Sequence, residues 1–96
     1  MRDYELLYIV KTDLSEEDTQ AVVDRYVKVL EDNGAEVANV DKWGKRKFAY
    51  VINKVYRDGY YVLVTFKAEN AAVDEVSRLL KIDERVIRHL VTRVGA

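Results

Sequence analysis

The chain is 96 residues long, with 16 Lys and Arg against 17 Asp and Glu, a net charge of -1, 49% apolar residues and neither Cys nor Pro. That composition excludes a disordered chain, two separate domains, a disulfide framework and a thiolate zinc site. At this length folding removes roughly 60 to 70% of the extended chain's surface from water, enough for one core. The even charge also excludes a protein that coats nucleic acid by bulk electrostatics, for which a pI above about 9 is usual, so any RNA or DNA contact must come from a local patch.

Residues 1–96 read as one domain, with no repeat, low-complexity tract or linker. The longest apolar run near the start, Leu6 to Val10, is too short for a signal core or a membrane helix, and the absence of Cys suits a reducing, cytoplasmic setting.

Asp3 to Lys11 has the Tyr, Leu, Ile and Val content of a strand. Thr12, Asp13 and Leu14 lead to Ser15, which with Glu16, Glu17 and Asp18 makes a capping-box-like, acidic first turn suited to the positive end of a helix dipole. Val22, Val23, Tyr26, Val27 and Leu30 recur at helical spacing, and Asn33-Gly34 supplies the left-handed stop. Glu36 to Ile52 is a long extended segment, and the change of alternation across Gly44 predicts a bulge. Asn53 to Gly59 has the composition of a hairpin loop, and Tyr60 to Lys67, almost free of polar residues, is expected to be a central strand. Asn70 is expected to cap a second helix that turns Val73, Val76 and Leu80 inward. Val86 to Val94 reads as the last strand, with Ile87, His89 and Val91 toward the helices and Arg88 away from them. The order β-α-β-β-α-β closes most simply as an α+β, ferredoxin-like two-layer sandwich. Its four antiparallel strands lie in the order 4-1-3-2, with both helices on one face.

In such a fold the second sheet face looks outward and should alternate to polar residues if water covers it. Here both parities of the first and third strands are apolar. Leu7, Ile9 and Leu63, with Tyr50 and Leu90 on the flanking strands, are therefore the candidate partner-contact residues, on a face of a size that marks a binding surface; the alternative is apolar residues scattered over the surface, as is common in small domains.

Lys42-Trp43-Gly44-Lys45-Arg46-Lys47-Phe48-Ala49-Tyr50 places four cations among aromatic residues, and Arg85, Arg88 and Arg93 with His89 form a second basic group. Cations pair with phosphates, and exposed rings stack on unpaired bases. Both segments are also edge strands, where charge protects against strand-to-strand aggregation, and from the residues alone the two readings stay equally open. His89 has no second His and no Cys with which to hold a metal, and reads as a structural residue or an RNA contact. There is no Gly-rich phosphate loop, no Ser/His/Asp set and no paired carboxylate that the helix dipole does not explain, so no enzyme, cofactor, metal site or small-molecule substrate is expected. Asp58-Gly59-Tyr60-Tyr61-Val62 lacks the leading cation of the RNA-recognition octamer and has Tyr61 in place of its Gly or Ala.

The chain resembles, over its whole length, the family of the sixth protein of the bacterial small ribosomal subunit. The resemblance rests on Met1-Arg2-Asp3-Tyr4-Glu5, on Asn33-Gly34-Ala35-Glu36, on Trp43 to Ile52 as its most specific stretch, on Arg57-Asp58-Gly59-Tyr60-Tyr61, and on Ile87-Arg88-His89. Phe48 stands where the family usually has Leu, and the chain ends at Val94-Gly95-Ala96 without the polar or acidic tail of some members. The resemblance implies a structural protein that joins the subunit platform as a heterodimer with a small basic partner, the eighteenth small-subunit protein, and contacts small-subunit ribosomal RNA. It makes Arg2, Lys45, Arg46, Lys47 and Arg88 RNA-facing candidates, to which the basic segments add Lys42, Trp43 and Arg93. The alternative, from another class, is a ferredoxin-like regulatory or dimerisation module that buries the open sheet face against itself.

Overall fold

A computed structural model describes residues 1–52 and 56–94, with the side chains of residues 47–57 outside that description. The elements are β1 (Arg2–Val10), α1 (Glu16–Asp32), β2 (Glu36–Ile52), β3 (Tyr56–Ala68), α2 (Asn70–Ile82) and β4 (Val86–Arg93). The four strands are antiparallel in the order β2-β3-β1-β4, which is the expected 4-1-3-2 ferredoxin-like sheet.

The pairing of β1 with β3 runs from Arg2 opposite Ala68 to Val10 opposite Tyr60 without a shift, and forms the spine of the sheet. Its even-numbered residues point one way: Tyr4, Leu6, Tyr8 and Val10 from β1 and Val62, Val64, Phe66 and Ala68 from β3 are buried. They meet Val22, Val23, Tyr26 and Leu30 of α1 and Ala72, Val76 and Leu80 of α2 in one core. Each fully buried Val, Leu or Phe side chain contributes about 1.5 to 3 kcal/mol of transfer free energy, so the period-two and period-three-and-four patterns are satisfied together only in this register.

The helix ends follow local chemistry. Ser15 Oγ accepts the Asp18 backbone N–H at 3.1 Å, and the acidic first turn, Glu16 to Asp18, lies at the positive end of α1. Asn33 closes the helix, and Gly34 at φ +85° takes the left-handed conformation that lets the chain leave it.

Three expectations change. The segment Tyr56 to Gly59 is strand and not loop: Arg46 lies opposite Gly59, Lys47 opposite Asp58 and Ile52 opposite Tyr56, so the pairing offered by β2 overrides turn-like composition. Asn70 is not the cap of α2; Glu69 occupies that position without a side-chain hydrogen bond, and Asn70 Oδ1 instead accepts the Tyr4 hydroxyl at 2.9 Å. Third, a register shift between Ile9 and Val10 leaves Ile87 as the extra residue of β4. Val86, not Ile87, then packs on the core, while His89 and Val91 lie opposite Tyr8 and Leu6 as expected.

Below the sheet, the turn after α2 is closed by a buried carboxylate. Asp83, 6% exposed, accepts the Tyr26 hydroxyl, the Arg85 backbone N–H at 2.9 Å and the Arg85 guanidinium at 3.0 and 2.9 Å. Burial alone pushes its carboxyl up, but the hydrogen bonds from Arg85 and Tyr26 outweigh that and hold it at about 2.

Candidate functional site

A residue and its partner on the neighbouring strand face the same side of a sheet, so the register assigns the outward side row by row. The first two rows are polar: Glu36, Lys67 and Asp3, then Asn39, Thr65, Glu5 and Thr92. The third carries Asp41, Leu63, Leu7 and Leu90, and the fourth Gly44, Tyr61, Ile9 and Arg88, with Arg46 opposite Gly59 beyond it. The open face is thus polar at one end and apolar at the other. Leu7 and Leu63 are half-buried by their neighbours, Ile9 at the centre is only 9% exposed, and Leu90 on the edge is 61% exposed. Leu7, Ile9, Arg88, His89 and Leu90 line a shallow cleft of about 310 Å³.

The bulged register of β2 divides the basic segment. Lys42 lies opposite Val62 and Lys45 opposite Tyr60, which puts both on the helix side. There Lys42 Nζ donates to Gln20 Oε1 at 2.7 Å, and Lys45 pairs with Asp58 at 3.3 Å, whose other oxygen accepts the Thr12 hydroxyl at 2.8 Å. These contacts tie β2 and β3 to the start of α1 across a cleft of about 530 Å³ that also carries Glu16, Glu17 and Lys11. The two lysines are engaged within the molecule, in mixed charge.

Trp43 and Arg46 go the other way. Residues three apart on a regular strand face opposite sides, but here the register shifts between Lys42 and Gly44, and Gly44 has φ +85°. The bulge adds one residue and brings Trp43 and Arg46 to the same, open face. Trp43 Nε1 donates to Asp41 Oδ2 at 3.1 Å, and its ring stacks on Tyr61 with centroids 6.1 Å apart and planes 10° apart. The Arg46 guanidinium lies 5.7 Å from the Trp43 centroid, within cation–π range. Among the described residues no carboxylate pairs with Arg46 or with Arg88.

The remaining candidates are spread out. Arg2 and Arg93 are exposed at the far end of the sheet, roughly 23 Å and, for Arg93 opposite Tyr4, roughly 17 Å along β1 from the Ile9 row. Arg85 belongs to the Asp83 turn and not to the basic group of β4. His89 is half-buried on the helix side, where burial and then Lys81 favour its neutral form. The side chains of Lys47 and Tyr50 lie outside the described residues. Sequence reasoning missed Tyr61 as the ring under Trp43 and Asp41 as the acceptor of its N–H. Carrying the parity change at Gly44 through to Arg46 is the signal that finds them.

Among the described residues there is no His, Cys, Asp and Glu group fit to hold a metal ion, and no described helix is long and apolar enough to cross a membrane. Residues 3–93 match the family model for ribosomal protein S6. The chain belongs to the ribosomal protein S6 family. It is 47% identical over 95 residues to the small ribosomal subunit protein bS6 of Desulforamulus reducens, covering 99% of each chain. It is also 47% identical to that of Moorella thermoacetica, over 98% of this chain and 95% of the relative. A crystal structure of 30S ribosomal protein S6 from Thermotoga maritima superposes with a TM-score of 0.90 at 28% identity, over 96% of this chain and 86% of that one. The C-terminal domain of the Mycobacterium tuberculosis MgtC protein has a TM-score of 0.66 at 9% identity and shares the fold alone. The S6 family is one of structural proteins of the small ribosomal subunit.

Proposed function

We propose that this S6-family chain takes its place in the small subunit by binding small-subunit ribosomal RNA together with a small basic partner, the eighteenth small-subunit protein. The partner covers the apolar rows of the open face, and the guanidinium groups at its margins meet phosphate. The observation that supports this most directly is the row Leu63, Leu7 and Leu90 beside the row Tyr61, Ile9 and Arg88, where an apolar floor runs to cations without carboxylate partners among the described residues. Arg46 and Arg88 stand on opposite edge strands, three strand spacings apart across the sheet and one row apart along it, a backbone separation of roughly 16 Å that suits two phosphates of one strand or of adjacent strands. No bond is made or broken: phosphate neutralisation and fit hold the RNA in its assembled geometry.

The test has two arms. In lysate, the chain should sediment with small ribosomal subunits, and Leu7→Glu should release the basic partner from the purified pair. With the pair intact, Arg46→Ala and Arg88→Ala should each weaken RNA binding and each lower the salt slope by about 1. An RNA affinity untouched by both substitutions rejects the assignment of those cations. A chain that avoids ribosomes and forms a concentration-dependent homodimer, broken by Leu7→Glu, supports the self-association module instead.

A further inference from the structure

Resting on that RNA-binding reading, we propose that Trp43 is the stacking platform for one unpaired RNA base, with Arg46 leaving the ring to pair the phosphate beside that base.

Four features converge on this end of β2. The indole is 40% exposed, the largest aromatic surface the described residues offer to solvent. Its only polar atom is already satisfied by Asp41, so what the ring has left to offer is a π face and not a hydrogen bond. Its plane is held parallel to that of the half-buried Tyr61, which fixes the platform before anything binds. The group now over the ring is the exposed, flexible Arg46, which can move away without breaking an ion pair described for it.

The identity of the occupant follows from charge. An apolar protein side chain landing on Trp43 would displace the guanidinium and bring no anion to it, so the cation–π contact is lost with no charged partner in exchange. A nucleotide brings the anion with it: the base replaces the guanidinium on the ring, and the adjoining phosphate gives Arg46 a charge-assisted partner one side chain away. The neighbouring carboxylate, Asp41, is held on the indole N–H edge and disfavours phosphate there, which leaves the Arg46 side for the backbone of the RNA. The base must be unpaired, because both faces of a base inside a duplex are already stacked. The platform stands on the edge strand β2, at the margin of the Tyr61, Ile9 and Arg88 row, so a partner seated over Leu63, Leu7, Ile9 and Leu90 on the other three strands leaves the outer side of the ring to a base.

Trp43 is the chain's single tryptophan, and its emission reports the ring directly. The experiment uses the full chain with its basic partner and a small-subunit rRNA fragment, taking the Trp43 signal as the difference between the parent and Trp43→Phe complexes. Stacking predicts that RNA quenches Trp43 emission, that Trp43→Leu lowers RNA affinity about tenfold, and that Trp43→Phe recovers most of that loss. Affinity for the partner should stay unchanged in both variants. Unquenched emission with RNA bound at parent affinity to the Trp43→Leu complex overturns the platform and leaves the RNA-binding reading standing. Emission that changes on adding the partner alone, with nothing further on adding RNA, overturns it in favour of a protein cover. A parent complex that binds no RNA overturns both. Because quenching is read from the parent and Trp43→Phe complexes, the proposal stays decidable even if Trp43→Leu folds poorly.

Discussion

The bulge at Gly44 assembles the open-face aromatic site, and substitution there separates backbone strain from loss of the site. A Cβ built on Gly44 meets no atom within 4 Å, so steric clash contributes nothing and the cost is conformational. At φ +85° an L-residue loses about 1 to 2 kcal/mol, and an alanine returns part of it, about 0.4 to 1 kcal/mol, by restricting the unfolded chain. Gly44→Ala should therefore destabilise by about 1 kcal/mol, Gly44→Val by more because branching at Cβ worsens the left-handed region, and Gly44→Asn by less. Gly34 is the internal control: it has the same φ of +85° and the same open surroundings, but lies at the end of α1. Urea denaturation should give similar losses for Gly34→Ala and Gly44→Ala. Only the second should change the near-ultraviolet dichroism of Trp43, because expelling the bulge turns Arg46 to the helix side and takes the guanidinium off the indole. A Gly44→Val protein with parental stability and an unaltered Trp43 signal would refute the reasoning, since the strand would then hold its register without the left-handed residue.

Three further expectations concern the core and the helix ends. The Asp83 carboxyl is held at about 2 against an ordinary 3.8, so its stabilising contribution is complete above about pH 5 and is lost as pH falls through 4 and past 2, on the order of 2 kcal/mol in all. Tyr26→Phe removes one of its donors from a buried carboxylate, and should cost about 1 to 3 kcal/mol at pH 7 and less near pH 2; an equal cost at both would disconnect the tyrosine from the acid limb. Tyr8 is fully buried among Tyr26 and the α1 side chains, and its hydroxyl has no hydrogen-bond partner among the described residues. Tyr8→Phe should therefore be neutral or stabilising by up to about 1 kcal/mol in thermal melts, and a clear loss would mean that the hydroxyl is satisfied. Ser15→Ala should cost about 1 kcal/mol through the orphaned Asp18 N–H, with Ser15→Asp restoring it in the same denaturation assay.

The layers of the fold were legible where local and global signals agree. Alternating residues in Tyr4 to Val10 and Tyr60 to Phe66, the three-and-four spacing of Val22, Tyr26 and Leu30, and the Asn33-Gly34 stop each demand the same sheet and helix faces. The start of β3 was not legible, because Tyr56-Arg57-Asp58-Gly59 has turn composition and becomes strand only against β2. The shift beside Ile9 was hidden for a different reason: no glycine marks it, so nothing in β4 signalled that Val86 would replace Ile87 in the core. Asn70 reads as a cap from its chemistry, but the hydroxyl that claims its side chain comes from Tyr4, 66 residues away. The candidate site shows the same limit. Cations contiguous in sequence look like one patch, yet the bulge between Lys42 and Gly44 puts Lys42 and Lys45 together on the helix side and sends Arg46 to the side of Trp43.

This division bears on why such a chain needs company. Each phosphate neutralised contributes about 0.7 to 0.9 to the salt slope of nucleic-acid binding, so Arg46 and Arg88 together supply a slope of about 1.5 and lose only about tenfold in affinity between 50 and 200 mM salt. Lys42 and Lys45 add to that only by leaving Gln20 and Asp58, and the acidic first turn of α1 stands beside them, so their recruitment costs contacts already made. A protein of net charge -1 that has, among the described residues, two guanidinium groups without carboxylate partners at the apolar end of its open face is thus a weak RNA ligand by itself. Covering the neighbouring apolar rows with a cationic protein changes the balance twice: it removes Leu7, Leu63 and Leu90 from water, and it presents its own phosphate contacts at the high effective concentration of a tethered ligand. On this account the apolar end of the sheet and its two flanking arginines are parts of one device, in which burial of the first raises the affinity of the second without any new cation on this chain.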